Sequence, residues 1–338
     1  MIGLELSPLE QGLQNYLSTV RQWWSTDLYR AMFDEHPARA GKAYEVFCAL
    51  EGGMQELKYA GPLGLAEVGR RQRARLLAAL DQLPDGVARL DRGDGEELPE
   101  YYTSVPFHHH PGGTFASPES GFVYEFSSGT TTLMVDQASD MHHRFAREIA
   151  ALVADVEHPV VVDVGCGFGK STVALAKAMP NAQVHGLDLS EPLLRLALLR
   201  ARENGLDIGY RLGFIEKLPY DDNSVDVISA SMVVHEVPPE TLRVFLSEAG
   251  RVLRPGGLLY FLDFYVLPDN DLAEALHRGH SRRNEEPYME DLFDLDLPAE
   301  FEKAGLAGFS ARPLPQGGQP EAAWALPWTE IIGRKPAS

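Results

Sequence analysis

The stretch Val160–Thr172, with the sequence Val-Val-Val-Asp-Val-Gly-Cys-Gly-Phe-Gly-Lys-Ser-Thr, decides the fold of this chain. Its β-branched start predicts a strand that is covered on both faces. Gly165, Gly167 and Gly169 then allow a tight turn and a close approach of a ligand to the backbone. The residues that follow predict a helix that ends before Pro180. A ligand is therefore expected over this turn, at the carboxyl end of the strand.

Two acids near this turn narrow the identity of the ligand. The alternate spacing of the glycines differs from the dinucleotide fingerprint, and no Lys-Ser pair stands at P-loop spacing. Asp163 lies two residues before the first glycine, where a carboxylate repels a pyrophosphate but suits a cation. Asp188 ends the next apolar run, 25 residues after Asp163, where it can accept hydrogen bonds from both hydroxyls of a ribose. The pattern predicts a positively charged ligand that carries a ribose and is not held by phosphates.

The motifs Asp-Val-Gly-Cys-Gly-Phe-Gly and Gly-Leu-Asp-Leu-Ser resemble the first two motifs of the class I methyltransferases, which use S-adenosyl-L-methionine. The resemblance continues through Glu216-Lys-Leu-Pro-Tyr, Ser224-Val-Asp-Val-Ile-Ser and Arg251-Val-Leu-Arg-Pro-Gly-Gly, and it covers about 136–265. It implies an α/β fold with a Rossmann-like, doubly wound, seven-stranded sheet and an antiparallel edge strand. The alternation of strand and helix patterns predicts the same parallel core.

The resemblance also implies roles for individual residues. Asp188 would bind the ribose, Leu189 would lie against the adenine, and the backbone of the glycine turn would lie under the methionine part. Phe214 stands where the family usually has an aspartate for the adenine amino group, so backbone groups, Glu216 or stacking would recognise the adenine. The predicted cofactor residues are Asp163, Gly165, Cys166, Gly167, Gly169, Asp188, Leu189, Phe214, Ile215 and Ser229.

Composition indicates a cytoplasmic enzyme. The net charge is −19 and the sequence pI is about 5.0, which oppose binding to nucleic acid or to an anionic membrane. The amino-terminal residues lack the basic start and apolar run of a secretory signal. The most apolar window, 256–267, is too short to span a bilayer. Cys48 and Cys166 are the only cysteines, so neither structural disulfides nor a zinc cluster are expected.

The length of 338 residues suggests a core domain and an accessory one, and the composition of successive segments divides the chain into three parts. We expect a helical cap over 1–100, an aromatic-rich connecting segment over 101–135 and a cofactor domain over 136–338. The cap is expected to shape the acceptor pocket and to form a possible homodimer contact. Apolar residues at three- and four-residue intervals predict cap helices over 8–33, 38–50 and 68–82.

The connecting segment contains three consecutive histidines, His108, His109 and His110. Neighbouring residues of an extended chain point to opposite faces, so three in a row rarely converge on one ion. We therefore expect a surface loop and no metal site. The aromatic residues of the segment, Tyr124 among them, are expected to pack over the cofactor domain and to line the substrate site.

Methyl transfer from a sulfonium requires mainly that the acceptor be held about 3 Å from the methyl carbon. An acceptor that carries a proton also needs a base. His235 and Glu236 follow the fourth strand of the predicted cofactor domain, at the rim of the cleft. The pair resembles the His-acid pair of small-molecule O-methyltransferases, with His235 as base and Glu236 orienting it. The alternative is that His235 begins the next helix and only lines the pocket.

A second polar group follows the fifth strand of that domain and includes His280, Arg282, Arg283, Glu286 and Tyr288. Arg282 or Arg283 would bind a substrate carboxylate in a bidentate manner, and Tyr288 would line the site. A carboxylate acceptor is already ionised and needs no base. The alternative is a solvated helix face with ion pairs.

The predicted function is methyl transfer to a small organic molecule, with oxygen favoured over nitrogen or carbon. Methylation of adenine in DNA is disfavoured because Ser229-Ala-Ser-Met replaces the Asn/Asp-Pro-Pro-Tyr motif. A dehydrogenase that uses NAD is disfavoured by the glycine spacing and the two acids. A cofactor-binding scaffold without catalysis is opposed by the intact pair of His235 and Glu236.

Overall fold

The computed structural model describes residues 2–28, 31, 37–93, 97–131, 135–265, 271–313 and 328–337. The amino-terminal helices are α1 (Pro8–Trp23), a π-helical turn (Trp24–Leu28), α2 (Pro37–Tyr59) and α3 (Leu65–Asp81). The other helices are α4 (Glu100–Thr103), α5 (Ser120–Thr131), α6 (Val135–Leu152), α7 (Lys170–Ala178), α8 (Glu191–Glu203), α9 (Pro239–Val252), α10 (Asp271–Asn284), α11 (Met289–Asp294) and α12 (Leu297–Lys303). There are 3₁₀ turns at Phe107–His109 and Val234–Glu236.

Eight strands form one mixed sheet in the order β1-β4-β3-β2-β5-β6-β8-β7. The strands are β1 (Arg89–Asp91), β2 (Val160–Val164), β3 (Gln183–Asp188), β4 (Ile208–Leu212), β5 (Val225–Ser231), β6 (Leu253–Asp263), β7 (Ala307–Pro313) and β8 (Thr329–Arg334). The pairs from β1 to β6 are parallel, and β8 runs antiparallel to both β6 and β7. This confirms the predicted fold class.

The sheet has one strand more than the predicted seven. The additional strand, β1, pairs in parallel with the edge strand β4. Its three residues alternate between exposed and half-buried and include no apolar run. Their strand conformation therefore depends on backbone hydrogen bonds to β4 rather than on a local pattern.

Two of the cap helices end at other residues than predicted. The helix expected over 8–33 ends at Trp23 and passes into the π-helical turn, and residues 29, 30, 32 and 33 lie outside the described residues. The helix expected over 38–50 continues to Tyr59. Gly52 lies inside this helix, and a Cβ atom at this position would lie 3.6 Å from the ring of His109.

Neighbouring residues of the central strand point to opposite faces of the sheet and enter different cores. Val162 packs with side chains of α9 and α12, among them Phe245 and Phe301. Val161 packs on the other face with α6 and α7, where Phe145 is fully buried. Helices on both faces explain the continuous apolar pattern of β2. The carboxyl ends of the parallel strands are left to form the site.

Candidate active site

The glycine turn after β2 has the conformation that only glycine adopts without strain. Gly165, Gly167 and Gly169 have φ angles of +60°, +54° and +85°. A Cβ atom at Gly165 would lie 2.5 Å from a methyl carbon of Val233, whereas one at Gly167 would meet no atom within 4 Å. The turn is therefore tightly packed underneath and open at Gly167. Cys166 is buried, and its backbone closes the turn: its N–H donates to the Leu187 carbonyl at 3.1 Å, and its carbonyl accepts from the N–H of Gly169 at 2.8 Å.

Asp163 supports this turn from below. It is fully buried, and its carboxylate accepts hydrogen bonds from the hydroxyls of Ser171 (2.6 Å), Thr172 (2.7 Å) and Ser229 (2.9 Å). Burial raises the pKa of Asp163 above its ordinary value. The predicted cofactor residues Asp163 and Ser229 thus lie beneath the turn and hold its shape.

Asp188 lies beside the turn at the end of β3. Its Oδ2 accepts from the backbone N–H of Gly167 at 2.7 Å, and its Oδ1 accepts from that of Ser190 at 2.8 Å. Each oxygen keeps a further lone pair for another donor. Burial raises the pKa of Asp188 to about 6 against the opposing effect of these two hydrogen bonds. Leu189, the next residue, is half-buried.

The residues that were predicted to recognise the adenine follow β4. The backbone N–H of Gly213 donates to the Asp188 carbonyl at 3.0 Å and so joins this segment to β3. Phe214 is half-buried, but Ile215 is buried in the main core and belongs to the packing of the domain. Oε1 of Glu216 accepts from the Tyr101 hydroxyl at 2.9 Å, and its Oε2 is buried without a hydrogen-bond partner.

His235 lies in the 3₁₀ turn after β5 and is 1% exposed. Its Nδ1 lies 2.5 Å from Oδ1 of Asp263, the last residue of β6. The other oxygen of Asp263 accepts from the backbone N–H groups of Val233 (2.9 Å) and Val234 (2.8 Å). Burial alone would favour the neutral ring, but the Asp263 carboxylate raises the pKa of His235 to about 9.

The prediction that Glu236 orients His235 is wrong, because Asp263 makes that contact. Oε1 of Glu236 lies 3.9 Å from Nε2 of His235 but only 2.9 Å from Nε2 of His108. Asp263 could have been found in the sequence as the acid that interrupts the apolar run of β6. Its pairing with His235 depends on β5 and β6 being neighbours.

Glu286 lies on the far side of His235 and is 1% exposed. Its oxygens lie 2.9 Å from Nδ1 of His108, 3.1 Å from Nε2 of His280 and 3.7 Å from Nε2 of His235. Burial would raise the pKa of Glu286, but the neighbouring histidines His280 and His108 hold it well below its ordinary range. His280 lies near the end of α10, Glu286 follows just after it, and His108 comes from the distant connecting segment, so their convergence is not visible as a local sequence pattern.

The histidines of the connecting segment are not on a surface loop, as expected, but are buried or half-buried. His108 contacts Glu236 and Glu286, Nε2 of His109 lies 2.9 Å from the Arg283 carbonyl oxygen, and His110 packs against the ring of Tyr59. The prediction of a surface loop is therefore wrong. His108 and His109 have left-handed backbone conformations, and the segment packs on helices of the cap. Among the described residues, no group of three or more His, Cys, Asp or Glu side chains has the geometry to hold a metal ion.

The predicted substrate residues are not brought together. The guanidinium of Arg283 pairs with Glu51 of α2 at 3.3 Å, because α10 packs on α2. The Arg282 side chain is 58% exposed. The Tyr288 hydroxyl donates to the Tyr101 carbonyl at 3.4 Å. The ring centroid of Tyr124 lies 6.1 Å from that of Phe168, a residue of the glycine turn, and 5.7 Å from that of His108.

Comparison with known proteins identifies the domain that contains the site. Residues 161–257 match the methyltransferase domain family. The chain contains a class I S-adenosylmethionine-dependent methyltransferase domain. A methyltransferase domain agrees with the cofactor that the sequence motifs imply, S-adenosyl-L-methionine.

Relatives of this methyltransferase include phthiotriol/phenolphthiotriol dimycocerosates methyltransferase of Mycobacterium tuberculosis, which is 33% identical over 49% of this chain and 64% of the relative. Demethylmenaquinone methyltransferase of Chlorobaculum tepidum is 36% identical over 35% of this chain and 46% of that protein. The chain thus spans less than two thirds of the length of these relatives. A solved structure of Haemonchus contortus phosphoethanolamine N-methyltransferase 2 covers 65% of this chain and 58% of that one, at 15% identity and a TM-score of 0.47.

The residues of the site fit this cofactor. The backbone at Gly167 is open to a ligand, and both Asp188 oxygens retain a lone pair for the ribose hydroxyls. The glycine turn and Asp188 would hold the cofactor, which supplies a methyl group on a positively charged sulfur. No helix in the described part of the methyltransferase is long and apolar enough to cross a membrane.

Proposed function

We propose that this methyltransferase transfers the methyl group to a hydroxyl oxygen of a small organic molecule, with His235 as the base. The pair of His235 and Asp263 carries the proposal. Asp263 fixes Nδ1 of the ring as the proton-bearing atom, which leaves Nε2 to take the proton of the acceptor. The buried setting excludes water from this step.

The placement of the arginines favours a hydroxyl over a carboxylate acceptor. Arg283 is buried against Glu51, and Arg282 is mostly exposed. A carboxylate would therefore lack its expected partners and would meet Glu236 and Glu286 instead. The negative charge of these side chains opposes an anionic acceptor.

The decisive experiment is a methylation assay with four classes of acceptor: phenols and alcohols, amines, carboxylic acids, and demethylmenaquinone. The last is included because it is named for one relative. The variant Asp188→Ala serves as the cofactor-binding control. Since His235 must lose its proton to act as base, turnover of a hydroxyl acceptor should rise with pH through about 9. Turnover confined to carboxylic acids, or independent of pH, would refute the proposal.

We also propose that the described part of the connecting segment, 101–131, covers the acceptor pocket. The Ser190 hydroxyl donates to the Thr114 carbonyl at 2.6 Å, directly beside Asp188. Tyr101 reaches Glu216 from the same segment. Closure of this segment would exclude water from the methyl group.

A homodimer through α1 is proposed on the distribution of its side chains. The outer face carries Leu9, Tyr16 and Trp23, which are 67%, 64% and 53% exposed at seven-residue spacing. The two charged residues of α1, Glu10 and Arg21, are buried, so its exposed face is uncharged. In a chain of net charge −19, an uncharged aromatic face is where a second copy can approach with little repulsion.

Sedimentation equilibrium tests this proposal. Tyr16→Glu should convert a dimer into a monomer, and Gln11→Glu, on the same helix, should not. A monomeric parent protein at micromolar concentration would refute it.

A further inference from the structure

His108 of the connecting segment lies between two carboxylates of the methyltransferase domain. Its Nε2 is 2.9 Å from Oε1 of Glu236, and its Nδ1 is 2.9 Å from Oε1 of Glu286. The side chain is 15% exposed. Its backbone has a φ angle of +58°, which residues other than glycine adopt only where the surroundings compensate the strain. The contacts of the His108 side chain with the two carboxylates therefore help to stabilise this backbone conformation.

Both carboxylates that His108 contacts also face the proposed base. Oε2 of Glu286 lies 3.7 Å from Nε2 of His235, and Oε1 of Glu236 lies 3.9 Å from it. Two uncompensated carboxylates at this distance would hold a proton on Nε2. A base with a permanently bound proton cannot accept another from the acceptor.

We propose that His108 is a positioning residue: it pairs with Glu236 and Glu286 and so allows Nε2 of His235 to give up its proton. The inference rests on the proposed function only in taking His235 as the base. Among the described residues, the titratable groups that interact with His235, His108 or the carboxylates between them are Asp263, Glu236, Glu286, His280, Tyr124 and His110.

The charge of His108 determines the direction of its effect. Burial favours the neutral ring, but Glu236 and Glu286 outweigh it and raise the pKa of His108 to about 10. The ring is therefore an imidazolium at neutral pH, and its positive charge opposes a proton on His235. Removal of this charge should raise the pKa of His235 above its value of about 9, and removal of the Glu286 charge should lower it.

The test is an NMR titration of protein labelled with ¹³C at histidine Cε1, in the presence of S-adenosylhomocysteine. The His235 resonance is assigned by its loss in His235→Gln. We expect His108→Gln to raise the pKa of His235 by about one unit and Glu286→Gln to lower it by about one unit. The matched control on the same segment is His109→Gln. His109 contacts the Arg283 carbonyl instead of the two carboxylates, so this variant should leave the pKa of His235 unchanged.

The opposite signs of the two shifts separate positioning from a loss of structure, which would move both variants alike. An unchanged pKa in His108→Gln, or an equal shift in His109→Gln, would overturn the inference. If His108→Gln does not fold, an unchanged or raised pKa in Glu286→Gln overturns it. The titration needs no methyl acceptor, so the pKa shifts of His235 can be interpreted even if the proposed function is refuted.

Discussion

Affinity for the cofactor should fall in mildly acidic solution, because Asp188 gains a proton there. Burial raises the pKa of this carboxyl to about 6. Above this pH the carboxylate can accept hydrogen bonds from both ribose hydroxyls, and below it one oxygen carries a proton and no longer accepts in the same way. The ionised form, and the affinity that depends on it, is therefore present above about pH 6 and lost below it.

The size of the effect follows from the fraction of ionised Asp188. Nearly all of the protein carries the carboxylate at about pH 8, but only about one molecule in ten does at about pH 5. The dissociation constant should therefore increase about tenfold, which corresponds to about 1.4 kcal/mol of binding free energy.

Isothermal titration calorimetry with S-adenosylhomocysteine between about pH 8 and pH 5 measures this change, with circular dichroism as a check of folding. Asp188→Asn should bind about 10- to 100-fold more weakly at pH 8, because hydrogen bonds to a charged acceptor contribute about 1.5–3 kcal/mol. Its affinity should not vary with pH. An equal fall in the parent protein and in Asp188→Asn, or no fall in either, would refute the role of this carboxylate.

Four further variants test the packing of the site and of the cap. Asp263→Asn removes the carboxylate that holds the His235 ring. It should lower the pKa of His235 from about 9 and reduce kcat by about 10²–10⁴-fold. The pH profile of turnover measures both changes. Gly165→Ala should reduce the free energy of unfolding in urea by about 2–5 kcal/mol, since its Cβ would overlap a neighbouring side chain at 2.5 Å. Gly167→Ala should reduce it by only about 1–2 kcal/mol but weaken cofactor binding, because its Cβ enters open space above the turn. Glu51→Ala should reduce it by about 3–5 kcal/mol in the same assay, because two buried arginines share this carboxylate.

Controls for these variants lie elsewhere in the chain. Glu67→Ala removes the exposed ion pair with Arg70 and should leave the free energy of unfolding nearly unchanged, because solvent screens this pair. Equal losses in Glu51→Ala and Glu67→Ala would contradict the importance of the buried pair. Equal unfolding free energies for Gly165→Ala and Gly167→Ala would contradict the packing beneath the turn.

The sequence by itself determined the parallel core, the glycine turn and the position of Asp188. These features depend on residues close together in the chain: a β-branched run predicts a buried strand, and glycines after it predict a turn. For this reason the helix predicted to end before Pro180 agrees with the observed α7, Lys170–Ala178.

Tertiary structure alone decided which side chains share the site. Asp263 replaces Glu236 as the partner of His235 because β6 lies beside β5 in the sheet, and Arg283 turns to Glu51 because α10 packs on α2. His108 reaches Glu286 from a segment 178 residues earlier in the chain. Local patterns specify backbone conformation, but the ionic environment of a buried group is set by whatever distant segments the fold packs around it.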